Sequence, residues 1–166
     1  CPGFGNYLEK GKIFSTGDGE MAFEVVEILS SEEVRARALV NGTHKTYKGV
    51  HFGPVIDTLE HLTDQTRAQM DILSQIEPEL VAFSFVNARE QLQRFKAELA
   101  KRFTARWVRP VVVSKVESPL GVKNIREIIA ETDWVLIARG DLGLNIPLEE
   151  LAKAQKSITA LCRNAG

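Results

Sequence analysis

Lys115 and Glu117 stand two residues apart at the end of an almost wholly apolar run, Pro110-Val111-Val112-Val113-Ser114-Lys115-Val116-Glu117. On a β-strand that spacing turns both side chains to one face. A second apolar run, residues 134–138, leads into Ala138-Arg139-Gly140-Asp141-Leu142-Gly143, which sets a carboxylate in a glycine-flanked turn before a helix. If the two strands are neighbours, Glu117 and Asp141 can share one hard divalent cation through oxygen ligands. Two protein carboxylates suit Mg²⁺ or Mn²⁺, which keep positions open for water and substrate oxygens. Lys115 then adds a second positive charge for a developing anion, an enolate or a transferring phosphoryl group. The glycines allow close backbone approach, and free N–H groups at a helix start suit a carboxylate or phosphate. Taken singly, Lys115 and Glu117 are an ordinary surface pair, and Asp141 is a cap on the amides of a tight turn. The combination points to an electrophilic site.

The elements that must position these residues fall into two parts. Up to about Val55 the pattern has period two. Ile13 and Phe14 precede a Gly17-Asp18-Gly19 turn, Met21, Phe23, Val25 and Ile28 alternate with glutamates, and Val34 to Val40 alternate with arginines. Asn41-Gly42 then gives a hairpin signal. This predicts a small antiparallel β unit over residues 1–55. From Thr63 the period changes to alternating helices and buried strands. Thr63 caps a helix to about Ile76, residues 80–86 read as an apolar strand, and Leu92, Phe95 and Leu99 recur at helical spacing. The strand over 110–117 follows, then a helix carrying Val122, Ile125 and Ile129, and then the strand over 134–138. A last helix begins near Pro147 and buries Leu148, Leu151, Ile158 and Leu161. Three apolar strands, each followed by a helix, predict a parallel sheet covered on both faces. An open doubly wound sheet and part of a (β/α) barrel both satisfy the pattern; three strands exclude a free-standing barrel, which needs about eight. In either architecture the chemistry sits at the C-terminal strand ends.

The 166 residues carry a net charge of -1, which gives no electrostatic reason to expect nucleic acid or an anionic membrane as the main partner. No apolar run approaches the roughly 20 residues of a membrane span. Cys1 and Cys162 have no partner at metal-ligand or redox spacing, so a reducing, cytoplasmic setting is expected, without a signal peptide. The absence of an initiator Met, with Gly166 resembling a helix C-cap, raises the expectation of a segment of something longer. His44, His51 and His61 lack metal-ligand spacing and read as surface or loop residues. Ser84 reads as a packed hydroxyl rather than a nucleophile. The basic residues Lys96, Lys101, Arg102, Arg106 and Arg109 read as a solvated helix face, and Trp107 beside them makes no nucleic-acid platform.

Ser114-Lys115-Val116-Glu117, Gly121-Val122, Ile125, Asp133, Ala138-Arg139-Gly140-Asp141-Leu142-Gly143, Ile146-Pro147, Gln155-Lys156 and residues 162–166 together closely resemble the pyruvate kinase family. Residues 82–86, Asn41-Gly42 and Lys48-Gly49-Val50 are similar to that family's pattern in the same order. The resemblance covers nearly the whole chain and is strongest over 113–166. It implies an α/β fold: a partial (β/α) TIM-type barrel, residues 56–166, with an appended small antiparallel β lid, residues 1–55. It also implies phosphoryl transfer from phosphoenolpyruvate to ADP, giving pyruvate and ATP, assisted by Mg²⁺ or Mn²⁺ and by K⁺, whose ligands lie outside this chain. Lys115 resembles the lysine that stabilises the transferring group and the enolate, and Glu117 and Asp141 resemble the cation's two protein ligands. The N–H groups of Gly140 and Asp141 would hold the substrate carboxylate. Lys48 resembles a lid lysine that meets nucleotide phosphates, and Asp18 a lid aspartate near the nucleotide's metal. Here the sequence departs from the family at Gly17, where a second aspartate is usual, at His51-Phe52-Gly53-Pro54, at Asn87 in place of arginine and at Trp134 in place of glycine. The full-length protein is expected to be a homo-oligomer. Two other functions stay open: a metal-dependent aldolase or lyase working through a pyruvate enolate, and a catalytically inactive binding or assembly module derived from a kinase.

Overall fold

The computed structural model describes residues 3–46, 48–52, 61–104 and 109–166. Cys1, the unit boundary near Val55, Gly53-Pro54, Arg106 and Trp107 lie outside the described residues. The chain forms two compact units, Cys1–Ile56 and Asp57–Gly166.

In the N-terminal unit a 3-10 turn, Phe4–Tyr7, precedes β1 (Ile13–Thr16), β2 (Met21–Ile28), β3 (Val34–Ala38) and β4 (Val50–His51). All pairings are antiparallel, in the order β3-β2-β1-β4. The alternating pattern has its expected effect. Phe14 pairs with Phe23 across β1 and β2, and Arg37 and Arg35 reach Glu24 and Glu27 across β2 and β3. Leu8, Val25 and Phe52 form the core, with Phe52 stacked against Phe4 and Tyr7. The hairpin expected at Asn41-Gly42 does not form. The tight connection is instead at residues 29–33, where Leu29 and Ser30 N–H groups donate to the Glu33 carbonyl. After β3 the chain crosses to the far edge, where β4 pairs with β1. Gly42 has a packing reason instead, since a Cβ there would lie 2.7 Å from the Met21 sulfur.

The C-terminal unit runs α1 (Asp64–Ile76), β5 (Leu80–Phe83), α2 (Arg89–Arg102), β6 (Val111–Val116), α3 (Pro119–Lys123), α4 (Ile125–Ile129), β7 (Trp134–Ile137), α5 (Arg139–Asn145) and α6 (Leu148–Ala165). Thr63 caps α1, its Oγ1 accepting from the Thr66 N–H at 3.2 Å. At the start of α2, Gln91 Oε1 accepts from both the Asn87 and Ala88 N–H groups. The three strands form a parallel sheet in the order β5-β6-β7, open and not closed into a barrel.

One face of this sheet carries the core. Val81, Phe83 and Val112 pack with Met70, Leu92, Phe95 and Leu99 of the helices, and the Phe83 and Phe95 rings stack at 4.1 Å. Val116, Ile125 and Ile158 make a second cluster. The expected coverage of both faces is corrected: Leu80, Leu136 and Trp134 stay exposed, Trp134 at 59%. They alternate along β5 and β7 with the buried or half-buried positions, so the exposure belongs to a face and not to scattered residues. Three further expectations change. β5 stops at Phe83 instead of Val86. The single helix expected over Val122 to Ile129 is two short helices meeting at Asn124, whose side chain donates to the Asn87 carbonyl at 2.8 Å. Leu148, expected in the core, is 77% exposed, because the buried stripe of α6 runs through Leu151 and Ile158.

Two contacts generate stability predictions. A Cβ on Gly121 would lie 2.6 Å from the Val86 carbonyl oxygen, a backbone atom that cannot swing aside. Gly121→Ala should cost about 1–3 kcal/mol, read as a lower urea midpoint. Asp133 accepts from both Arg109 nitrogens at 2.6 and 2.7 Å and from the Val112 N–H at 2.8 Å. The Arg109 guanidinium, then the Val112 N–H, hold its carboxyl down to about 2. A depressed folded value stabilises above the unfolded value, near 4, and that contribution disappears as pH falls through about 2. Urea unfolding of Asp133→Asn should therefore show a deficit that is full at neutral pH and closes in acid.

Candidate functional site

The carboxylate of Glu117 is 1% exposed at the C-terminal end of β6. A buried charge is tolerated only when partners meet it. Its Oε2 accepts from the Phe85 N–H at 2.6 Å, and its Oε1 lies 2.5 Å from the Lys115 ammonium. That ion pair lacks hydrogen-bond geometry, and Oε1 makes no hydrogen bond. Lys115 Nζ also donates to Ser84 Oγ at 3.1 Å. The i, i+2 spacing therefore does what the sequence requires of it, turning Lys115 and Glu117 to one side of the strand and into contact.

The geometry at the end of β5 explains how a backbone amide reaches this carboxylate. Phe85 has φ 53°, in the left-handed region that a bulky side chain rarely occupies. The turn takes the Phe85 N–H out of the strand ladder and aims it at Glu117, while the next N–H, of Val86, donates to the Lys115 carbonyl at 3.2 Å. Buried polar side chains support the bend from beneath. Ser118 Oγ donates to Asn87 Oδ1 and accepts from the Gly121 N–H at 2.9 Å.

Gly140 and Asp141 lie in the first turn of α5, where the first helical hydrogen bond runs from the Leu142 N–H to the Ala138 carbonyl at 2.9 Å. The turn expected around Asp141 is thus itself helical, and its first N–H groups have no partner within the helix. A Cβ on Gly140 would meet nothing within 4 Å, so open space adjoins its Cα. α5 is tied to β6 by Asn145, whose Nδ2 donates to the Asp141 carbonyl at 2.8 Å and to the Glu117 carbonyl at 3.2 Å. The structure therefore gathers Lys115, Glu117, Gly140 and Asp141 at the C-terminal ends of two adjacent strands.

The donor chemistry fits a hard divalent cation. Glu117 offers a buried oxygen without a hydrogen bond, and Asp141 is a half-buried carboxylate on the element bridged to it. Among the described residues no group of three or more His, Cys, Asp or Glu side chains is placed to hold a metal. Two carboxylates leave most positions to water and substrate oxygens, as Mg²⁺ prefers.

In the N-terminal unit the Gly17 N–H donates to the Gly49 carbonyl at 2.9 Å, which brings the Gly17-Asp18-Gly19 turn beside Lys48. Gly17 and Gly19 have φ of 66° and 81°, which suits glycine there. Lys48 Nζ lies 3.5 Å from Glu20, a carboxylate the sequence reading passed over.

Ser84, read from sequence as a packed hydroxyl, is a partner of Lys115. Asn145 was also missed, although its place four residues after Asp141 becomes a signal once residues 139–145 are read as helix. The basic residues are less free than a solvated face implies. Lys96 meets Glu131, Lys101 meets Glu98, Arg102 meets Glu98 and Asp71, and Arg109 meets Asp133. Burial pushes the Cys162 thiol up, away from reactivity. No helix among the described residues is long and apolar enough to cross a membrane.

The family model described as pyruvate kinase, barrel domain, matches residues 2–166. The chain is 32% identical over 159 residues to a pyruvate kinase of Clostridium perfringens, covering 96% of this chain and 33% of that protein. It is 30% identical over 159 residues to a pyruvate kinase of Hypocrea jecorina, covering 96% of this chain and 29% of that protein. For a pyruvate kinase of Thermotoga maritima the figures are 31% over 156 residues, 94% and 32%. The chain thus spans about a third of the length of the curated relatives it matches.

The pair at the end of β6 makes its own prediction. Glu117→Ala leaves the Phe85 N–H without its acceptor and should cost about 1–3 kcal/mol. Glu117→Gln keeps an amide oxygen for that N–H and should unfold closer to wild type, as thermal melts of the two variants will show.

Proposed function

The chain belongs to the pyruvate kinase family, and from that premise we propose that it is an internal section of an enzyme that moves a phosphoryl group from phosphoenolpyruvate to ADP, giving pyruvate and ATP. In this reading the C-terminal unit is the middle of a (β/α) barrel, with β5, β6 and β7 as three successive strands. The N-terminal unit is most of a lid inserted in that barrel. The observation that carries the proposal is the buried Glu117 carboxylate, in contact with Lys115 and held by the Phe85 N–H, at the strand ends beside the first turn of α5.

The roles follow from charge and position. The N–H groups of Gly140 and Asp141 bind the carboxylate of phosphoenolpyruvate, which fixes the substrate with its phosphoryl group toward Lys115. The bond from the enol oxygen to phosphorus breaks as a terminal phosphate oxygen of ADP attacks in line; the electron pair remains on the enolate, which becomes pyruvate by taking a proton at its methylene carbon from a donor that is not among the residues assigned here. Lys115 offers positive charge to the equatorial phosphoryl oxygens and to the enolate oxygen as charge develops there. Glu117 and Asp141 hold Mg²⁺ or Mn²⁺, which when bound neutralises substrate oxygens as a Lewis acid. Ser84 steadies the Lys115 ammonium, and orientation contributes much of the acceleration. In the same family reading Lys48 meets the nucleotide phosphates and Asp18 lies near the nucleotide's metal. K⁺ dependence belongs to the family reading and rests on no residue of this chain. A cytoplasmic, homo-oligomeric full-length enzyme is part of the same proposal. The aldolase or lyase and the inactive assembly module gain no support from the relatives, which are pyruvate kinases.

In the full-length enzyme, Lys115→Ala should lower turnover by about 100- to 1000-fold, the scale for losing one preorganised electrostatic donor. Mn²⁺ should still bind. Steady-state assay of ADP-dependent pyruvate release, with Mn²⁺ binding followed by electron paramagnetic resonance, checks both. Turnover near that of wild type would end the assignment.

A further inference from the structure

Asn145 closes α5 and has no place in the roles above. Its Nδ2 joins the backbone carbonyl of Asp141, at 2.8 Å, to that of Glu117, at 3.2 Å. The first bond lies within the helix and the second spans 28 residues of sequence. The two carboxylate-bearing residues sit on separate elements. What links them across the end of β6 is the Ala138 N–H donating to the Val116 carbonyl at 3.3 Å and this amide. Only the last engages the backbones of Glu117 and Asp141 themselves. Two N–H bonds on one planar nitrogen are what the geometry demands. A carboxylate in that place would set negative charge against two carbonyl oxygens, and an aliphatic side chain would leave both without this donor.

We infer that Asn145 is a positioning residue for the divalent-cation site: its side-chain amide fixes the separation of Glu117 and Asp141 so that both carboxylates reach one cation. This rests on the assignment of Glu117 and Asp141 as the cation's protein ligands. Both bonds of the Asn145 Nδ2 go to backbone carbonyls, so its influence passes through the two backbones. Groups that orient metal ligands from behind are worth about 10- to 100-fold in metal affinity.

The test uses the full-length enzyme, with Mn²⁺ alone as the probe and electron paramagnetic resonance to measure its affinity without turnover. Asn145→Leu, which keeps the branched shape and has no donors, should weaken Mn²⁺ binding about tenfold or more. The apparent KM for Mn²⁺ should rise while kcat at saturating Mn²⁺ stays within a few-fold, and Asn145→Gln, which keeps the amide on a longer arm, should recover part of the affinity. Mn²⁺ affinity within about twofold of wild type in a folded Asn145→Leu protein would overturn the inference. Should Asn145→Leu fail to fold, Asn145→Ser carries the test with its single donor: weakened Mn²⁺ binding supports the role and unchanged binding overturns it. Glu117→Gln in the same assay separates the two levels. If it abolishes Mn²⁺ binding while Asn145→Leu does not alter it, only the positioning role falls. If Glu117→Gln leaves Mn²⁺ binding intact, the ligand assignment fails and the positioning role falls with it.

Discussion

A carboxylate taken out of water must be met by positive charge and by hydrogen-bond donors, and removing it from solvent costs several kcal/mol even after the surroundings relax. Glu117 imposes that condition on everything around it. The Lys115 ammonium supplies the charge and the Phe85 N–H supplies the donor. β5 accordingly ends at Phe83, since an amide that continued the ladder would not face the carboxylate. The bend after β5 then needs its own support, which Asn87, Ser118 and the missing Cβ of Gly121 provide. A shift of one residue in the register of β6 would send Lys115 and Glu117 toward the helices and Ser114 and Val116 away from them. The apolar side chains that fix that register therefore also hold the Lys115 and Glu117 pair in place.

The two ends of the parallel sheet divide the work. Near the N-terminal ends of the strands, Arg109 and Asp133 make a two-point ion pair that also caps the Val112 N–H, and Glu131 gathers Lys96 and Arg89. Those charges are mutually satisfied and bind the elements together. At the C-terminal ends Glu117 Oε1 has the Lys115 ammonium beside it but makes no hydrogen bond, and open space adjoins the Cα of Gly140. A parallel α/β sheet that keeps stability at one end can leave the other electrostatically unfinished for a ligand.

What the sequence made legible was whatever local periodicity encodes. Thr63 announced the start of α1, Leu92, Phe95 and Leu99 marked the buried stripe of α2, and the apolar run with Lys115 and Glu117 two apart marked both β6 and the side on which that pair meets. The helix around Asp141 was hidden because two glycines in seven positions read as a turn. Asn41-Gly42 misled for the opposite reason, since a strong local signal was overruled by the pairing of β4 with β1. Leu148 and Trp134 were assigned to a core from their apolarity, which does not say which side of an element faces its neighbours. Ser84, Phe85 and Asn145 escaped because each meets a residue about 30 positions away, a distance no local pattern spans.

The left-handed Phe85 carries this nonlocality into time. Nothing in residues 80–86 favours that backbone, so it is held against strain of about 1–3 kcal/mol by an acceptor 32 residues further on. The loop can take its final shape only after β6 has been made and laid in register beside β5. Among native fluctuations this loop is a region where opening relieves strain as well as breaking a contact. A ligand that grips Glu117 would oppose that opening by mass action and transmit its binding energy to the order of the loop. Occupancy and local rigidity then become one equilibrium, written into a single dihedral angle.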